Sequence, residues 1–173
     1  MRAEGDFFPV GARELDPARL GDHLDRLYRA AWSLCGSRED AQDLVQETYA
    51  KVLARPRLLR REDDVGYLLR ALRNTFLAGR RRQSARTVTV PLDEELDARH
   101  ASALPGPEEA AEQARVYTAI SELPPEYRDA LVAVDVAGLS YREAARALRV
   151  PEGTVTSRLA RARERVTDAL GGS

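Results

Sequence analysis

The stretch SYREAARALRVPEGTVTSRLARARER, residues 140–165, decides the reading of this chain. It opens on Ser140 and places Glu143 three positions on. At that spacing a hydroxyl and a carboxylate satisfy each other's N–H groups at a helix start. Ala144, Ala145 and Leu148 follow on one face, which predicts a short helix. Val150, Pro151, Glu152 and Gly153 then read as a turn. From Thr154 to Leu170 a second helix turns Val155, Leu159, Ala162, Val166 and Leu170 inward. A short capped helix, a tight turn and a longer helix make a helix-turn-helix. The outward face of the longer helix carries Thr154, Ser157, Arg158, Arg161 and Arg165, with Thr156, Ala160 and Arg163 beside them. Hydroxyls and guanidiniums on a helix that fits a major groove bond phosphates and base edges. The helix start adds backbone N–H donors for phosphate.

Working outward, Pro107 to Glu122 has helical periodicity, and a further helix runs from Pro124 or Pro125 to Val136 and stops near Gly138. Residues 107–170 therefore form one helical domain, followed by a short tail, 171–173. Ahead of it, residues 85–106 hold Pro91, Pro105, Gly106, the short β-prone run Thr87–Val90 and the acids Asp93, Glu94 and Glu95. No helical period persists there, so the segment reads as an acidic flexible linker. Residues 19–84 form a second domain of three helices. Asp16 and Pro17 start the first, with Leu20, Leu24, Leu27, Ala31 and Leu34 on one face. Gly36 ends it. Ser37, with Asp40 in the capping-box position, starts the next, which turns Ala41, Leu44, Val45, Thr48 and Val52 inward. The third begins near Asp63 with Val65, Leu68, Leu69, Leu72 and Phe76 inward. The fold class is all-α: two small helical domains, the second containing the helix-turn-helix. Residues 1–18 are an N-terminal extension with no assigned role.

Net charge is −1, from 27 basic and 28 acidic residues, so the chain has no uniformly basic coat. The charge is instead segregated. Residues 70–86 carry six arginines and no acid, 87–126 carry nine acids against two arginines, and 142–165 carry seven arginines against three acids. On the third helix Arg70, Arg73, Asn74, Leu77 and Arg81 share the face away from the domain core. The Asn74 amide can both donate to and accept from a base edge. The outer face of the second helix is acidic and polar: Asp40, Asp43, Gln46 and Glu47, with Lys51. DNA repels such a face, and a basic protein surface suits it.

One cysteine, Cys35, excludes an intrachain disulfide framework, and with two distant histidines the chain offers no metal cluster. A lone cysteine on a core-forming helix reads as a small buried apolar residue. No nucleophile–base set and no glycine-rich phosphate loop is present, so neither an enzyme nor a bound cofactor is expected. No apolar run approaches the roughly 20 residues of a membrane span. The N-terminus lacks the apolar core of a secretory signal. The expectation is a cytoplasmic protein that does not insert into membranes.

The segments 40–48 (DAQDLVQET), 67–74 (YLLRALRN) with the arginines 80–82, 123–128 (LPPEYR), 138–145 (GLSYREAA) and 153–163 (GTVTSRLARAR) resemble, in this order and spacing, bacterial sigma factors of the extracytoplasmic-function group of the sigma-70 family. The resemblance covers about Leu20 to Leu170. It implies that Asp40, Asp43, Gln46 and Glu47 dock on RNA polymerase core, against the β′ subunit, with β also contacted. It implies that Arg70, Arg73, Asn74 and Arg81 bind the −10 element, with Asn74 at a flipped-base pocket. Thr154, Thr156, Ser157, Arg158 and Arg161 would bind the −35 element. The linker would thread toward the active-site and RNA-exit channel. Promoter DNA, the polymerase core and an anti-sigma factor are the implied partners, and binding rather than chemistry is the implied function. The chain departs from the group at Tyr67, where tryptophan is usual. It also departs in the loop 57–61, which holds no aromatic residue, and at Ala78 and Thr156. A stand-alone helix-turn-helix regulator would also explain residues 140–165. It leaves the acidic second-helix face and the arginine face of the third without a purpose.

Overall fold

The structure is a computed structural model that describes residues 12–55, 58–60, 64–85 and 107–171. Asp16 opens the first helical segment, its side chain accepting from the Ala18 N–H at 2.9 Å with Pro17 in the first turn. That segment, Pro17–His23, is a 3-10 helix where the sequence predicts an α-helix; Gly21 inside it disfavours α-helical continuity. The α-helix α1 follows, Leu24–Cys35, and stops at Gly36. Gly36 has φ 81° and donates its N–H to the Trp32 carbonyl at 2.8 Å. Only a residue without Cβ takes that left-handed turn at little cost.

Ser37 caps α2, Arg38–Ala54. Its hydroxyl oxygen accepts from the Asp40 N–H at 3.2 Å, and the hydroxyl donates to the Asp40 carboxylate at 2.8 Å. Ala41, Leu44, Val45, Thr48 and Val52 are all buried, as their period requires. In α3, Asp64–Ala85, residues Leu68, Leu69, Leu72 and Phe76 are buried and Val65 is half-buried. The Tyr49 hydroxyl donates to the Leu20 carbonyl at 2.9 Å and ties the 3-10 segment to α2. Helices α1, α2 and α3 pack together as a three-helix unit.

Two three-residue strands, β1 (Ala12–Glu14) and β2 (Leu58–Arg60), pair antiparallel with Arg13 opposite Leu59. They are an addition to the all-helical expectation, since a two-residue period cannot be read over three residues. They join part of the N-terminal extension to the segment that precedes α3. The linker expectation for 85–106 lies outside the described residues, except that Ala85 is the last residue of α3.

The second unit consists of α4 (Pro107–Ser121), α5 (Pro125–Leu131), α6 (Tyr141–Leu148) and α7 (Glu152–Ala169). Between α5 and Gly138 the chain widens into a π-helical turn, Val132–Val136, in which the Ala137 N–H reaches the Val132 carbonyl at 2.8 Å. Ser140 and Glu143 form the complete capping box. Glu143 accepts from the Ser140 N–H at 2.8 Å and from its hydroxyl at 2.6 Å, and the Ser140 oxygen accepts from the Glu143 N–H at 3.3 Å. These bonds hold the Glu143 carboxyl below the usual carboxylate range. The turn of the helix-turn-helix differs from its sequence reading. Arg149, at φ 58°, makes the left-handed reversal, and α7 begins at Glu152, so Gly153 lies inside the helix. Pro151, with φ already at −59°, sets the chain for this earlier start.

Helix α7 buries Val155, Leu159 and Ala162, while Val166 and Leu170 are half-buried. The two units share an interface. Helix α4 packs on α1, and α6 packs on α3. Trp32 and Tyr117 meet there with ring centroids 4.6 Å apart.

Candidate nucleic-acid interface

The first turns of α7 present a polar ridge. Thr156, Ser157 and Arg161 are exposed, and Thr154 and Arg158 are half-buried. The Thr156 hydroxyl donates back to the Glu152 carbonyl and the Ser157 hydroxyl to the Thr154 carbonyl, each at 3.1 Å. Both oxygens keep acceptor lone pairs, and each hydroxyl can rotate outward. Arg161 makes a loose contact with Glu164 at 3.6 Å. The two arginines nearby are committed to the unit itself. Arg163 donates to both oxygens of Asp135 at 2.8 and 2.7 Å, which pushes its pKa above the ordinary value. The Arg165 guanidinium lies 5.1 Å from the centre of the Tyr127 ring, while the residue itself stays exposed, as its period predicts.

On α3 the four candidate residues divide. Asn74 and Arg81 are exposed, and Arg81 Nε donates to the Leu77 carbonyl one turn back at 3.3 Å. Arg70 and Arg73 are half-buried against the second unit. Arg73 Nε donates to Asp129 Oδ2 at 2.6 Å. Arg70 donates from Nη2 to the Arg146 carbonyl at 3.1 Å and from Nε to the Ala147 carbonyl at 3.3 Å. The face is thus directed away from the core of its own unit, as the period predicts, yet half of it is covered. Asp129 has no place in the sequence reading, and its neighbour Arg128 enters it only as the end of the motif 123–128. Their one signal is a charged pair directly before the apolar buried run 130–133.

The outer face of α2 keeps its acidic character. Asp40, Asp43 and Gln46 are exposed. Glu47 is held between Lys51 at 2.7 Å and Arg82 at 3.1 Å. The hydrogen bond from Lys51 is the main reason its carboxyl sits below the usual range, with Arg82 adding to it. Among the described residues no three His, Cys, Asp or Glu side chains form a metal-holding group, and no helix is long and apolar enough to cross a membrane.

A helix-turn-helix unit with a polar α7 ridge packs on a three-helix unit with one basic and one acidic face, and together they define a two-unit helical protein. Residues 20–86 match the family model of sigma-70 region 2, and residues 113–166 match that of sigma-70 region 4. The chain is 35% identical over 150 residues to the ECF RNA polymerase sigma factor SigM of Mycobacterium tuberculosis, covering 86% of this chain and 74% of that one. It is 32% identical over 144 residues to the ECF RNA polymerase sigma factor EcfG of Rhodopseudomonas palustris, covering 81% and 76%. With the ECF RNA polymerase sigma factor SigE of Mycolicibacterium smegmatis it shares 38% identity over 153 residues, 86% of this chain and 58% of that longer one. Among solved structures, the sigma factor RpoE of Bartonella quintana, in complex with the anti-sigma factor NepR, superposes with a TM-score of 0.65 at 26% identity, over 88% of this chain and 94% of that one. The chain belongs to the extracytoplasmic-function sigma factors of the sigma-70 family.

Proposed function

We propose that this chain binds RNA polymerase core and directs initiation at promoters carrying a −10 and a −35 element. The observation that carries the reading is the separation of three surfaces on three helices: an acidic face on α2, an arginine–asparagine face on α3 and a hydroxyl–arginine ridge on α7. Each has the chemistry of a different partner. The carboxylates of Asp40, Asp43 and Glu47, with Gln46, suit a basic protein surface on core. Arg70, Arg73, Asn74 and Arg81 suit single-stranded −10 DNA, where guanidiniums bond phosphates and an amide reads a base edge. Thr154, Thr156, Ser157, Arg158 and Arg161 suit the major groove of the −35 duplex. Residues 19–84 and 107–170 are the two binding domains, with 85–106 joining them. The chain contributes binding and positioning, and the polymerase performs the chemistry in the cytoplasm. By analogy with the RpoE complex, an anti-sigma factor controls it.

The test is capture of core polymerase by the purified chain, followed by transcription of a genomic fragment library. Core binding with initiation at a discrete set of promoters is the expected result. Duplex binding without core affinity would overturn it in favour of a stand-alone regulator.

A further inference from the structure

The sigma-70 region 2 match begins at residue 20, so the strand β1 and Leu15 lie ahead of it. They are nonetheless built into the first unit. Leu15 is buried in the core, and Asp16 caps the 3-10 segment. Leu20 is buried, and its carbonyl takes the Tyr49 hydroxyl at 2.9 Å. At the end of that segment the His23 imidazole Nε2 lies 3.8 Å from Asp64 Oδ2, with both side chains largely buried. Asp64 is the first residue of α3, and β2 ends at Arg60. Residues 12–23 therefore meet the approach to α3 at two points, along the backbone of β2 and at the first residue of the helix.

The helices do not need this brace to be joined. The connection from Ala54 to Asp64 is short enough to close unaided. Pairing instead brings Arg13 across the unit to Leu59. A two-stranded ribbon this short has little stability of its own. The entropy of closing so long a loop is offset by the anchors that follow β1, namely Leu15, Asp16 and Leu20. What the pairing adds is position, because ladder bonds fix the backbone of β2 whatever its side chains. Position matters at this place. Asn74 stands about 15 Å along α3 from Asp64. A stacked strand of DNA advances about 3.4 Å per base, so DNA held at Asn74 and running toward the start of α3 arrives there about four bases away. The sequence around β2 is basic, with arginine at 55, 57, 60 and 61 and no acid among residues 55–61. Guanidiniums bond phosphates and base edges, and the backbone that carries them decides which ones they reach.

We propose that β1 is a positioning element of the −10 site. It acts through its backbone: by pairing with β2 it fixes the chain ahead of α3, and the preference for particular −10 bases depends on that pairing. The inference rests on the proposed reading of α3 as the −10 face. It gives part of the N-terminal extension a role that neither the sequence pattern nor the family match assigns.

The test uses the full chain with RNA polymerase core, on one promoter from the genomic library and on a series in which each −10 base is replaced in turn. Arg13→Pro/Glu14→Pro removes two successive backbone N–H groups. One of them points toward β2, because N–H groups alternate sides along a strand. Arg13→Ala/Glu14→Ala loses the same side chains and keeps both N–H groups. The proline pair should keep its helical content and a core affinity within about twofold of the parent. The ratio of initiation on the parent −10 element to that on its variants should fall at least about fivefold. The alanine pair should keep the ratio. An equal loss on every template overturns the proposal, and so does a ratio that falls as far in the alanine pair. Should the proline pair fail to fold, Ala12→Cys/Arg60→Cys, carried with Cys35→Ala, decides. Those two positions are opposite in the ladder, where paired Cα atoms lie about 4.5–5.5 Å apart, within disulfide range. Oxidation should close the bond and leave the ratio at or above that of the reduced form. No bond in the folded chain, or a bond that lowers the ratio, overturns the proposal. A parent chain that captures no core or initiates nowhere overturns the function proposed above and this inference with it. A discriminating parent whose ratio survives in the proline pair overturns this inference alone.

Discussion

Charge reversal on α2 can be designed so that folding and binding separate. Asp43 is exposed, and it takes no part in the Glu47 ion pairs on the same helix. Asp43→Arg should therefore leave stability within about 0.5 kcal/mol of the parent chain. Glu47→Arg is different. It loses contacts to Lys51 at 2.7 Å and Arg82 at 3.1 Å. Exposed pairs of this kind contribute about 0.2–1 kcal/mol each. It also sets a third cation between two others, at roughly 1 kcal/mol for like charges about 4 Å apart in water. The folding cost is then about 1–3 kcal/mol for Glu47→Arg against almost none for Asp43→Arg. For binding, replacing −1 by +1 about 5 Å from a partner cation loses about 0.8 kcal/mol of attraction and gains the same repulsion. The sum, about 1.7 kcal/mol, is a loss of roughly twentyfold in affinity for RNA polymerase core. Urea melts give the first quantity and anisotropy titration of labelled chain with core gives the second. Core affinity of Asp43→Arg within about twofold of the parent would refute the assignment of this face.

Other perturbations address the remaining surfaces. Ser140→Ala removes the cap of α6 and should cost about 1 kcal/mol, read from the urea midpoint. The Glu143 carboxyl has its folded pKa depressed by Ser140, so its contribution is full above about pH 4.3 and is lost as pH falls through the lower folded value. Glu143→Gln should therefore flatten the stability profile in that acid window, and an unchanged profile would count against the box. Leu159→Ala, at a position 1% exposed in the second unit, should cost about 2–5 kcal/mol. Arg161→Ala should weaken duplex binding across sequences and reduce the salt slope by about one unit. Arg163→Ala should instead lower stability and leave that slope unchanged, because Arg163 is bound to Asp135.

What the sequence discloses here is what chemistry settles locally. The five inward residues of α2 follow from a 3.6-residue period, and the caps at Asp16, Ser37 and Ser140 follow from which side chains reach a helix-start N–H. The candidate faces on α2, α3 and α7 follow from the same periods. Arg70 and Arg73 show where this reasoning stops. Periodicity directs a residue away from its own helix's core, but Arg73 meets Asp129 across 56 positions and Arg70 meets Ala147 across 77. No local rule connects them. The turn before α7 differs from its sequence reading for another reason: a left-handed arginine, Arg149, has no compositional signature, whereas the nearby Gly153 does. The strand pair Ala12–Glu14 and Leu58–Arg60 joins two short, distant segments whose pairing neither segment encodes alone.

The Trp32–Tyr117 stack has an optical consequence. Trp32 is the chain's one tryptophan, 5% exposed, with the Tyr117 ring at 4.6 Å and the Arg38 guanidinium 4.6 Å from its centre. Tyr117 belongs to the second unit and Arg38 to the first, so separation of the units removes one wall of the indole's cage and keeps the other. Water then reaches a ring that was dry, and its emission shifts to longer wavelength. The intrinsic fluorescence of the unlabelled chain thus reports the distance between its two halves, and it does so in the presence of polymerase or DNA wherever their own emission can be subtracted.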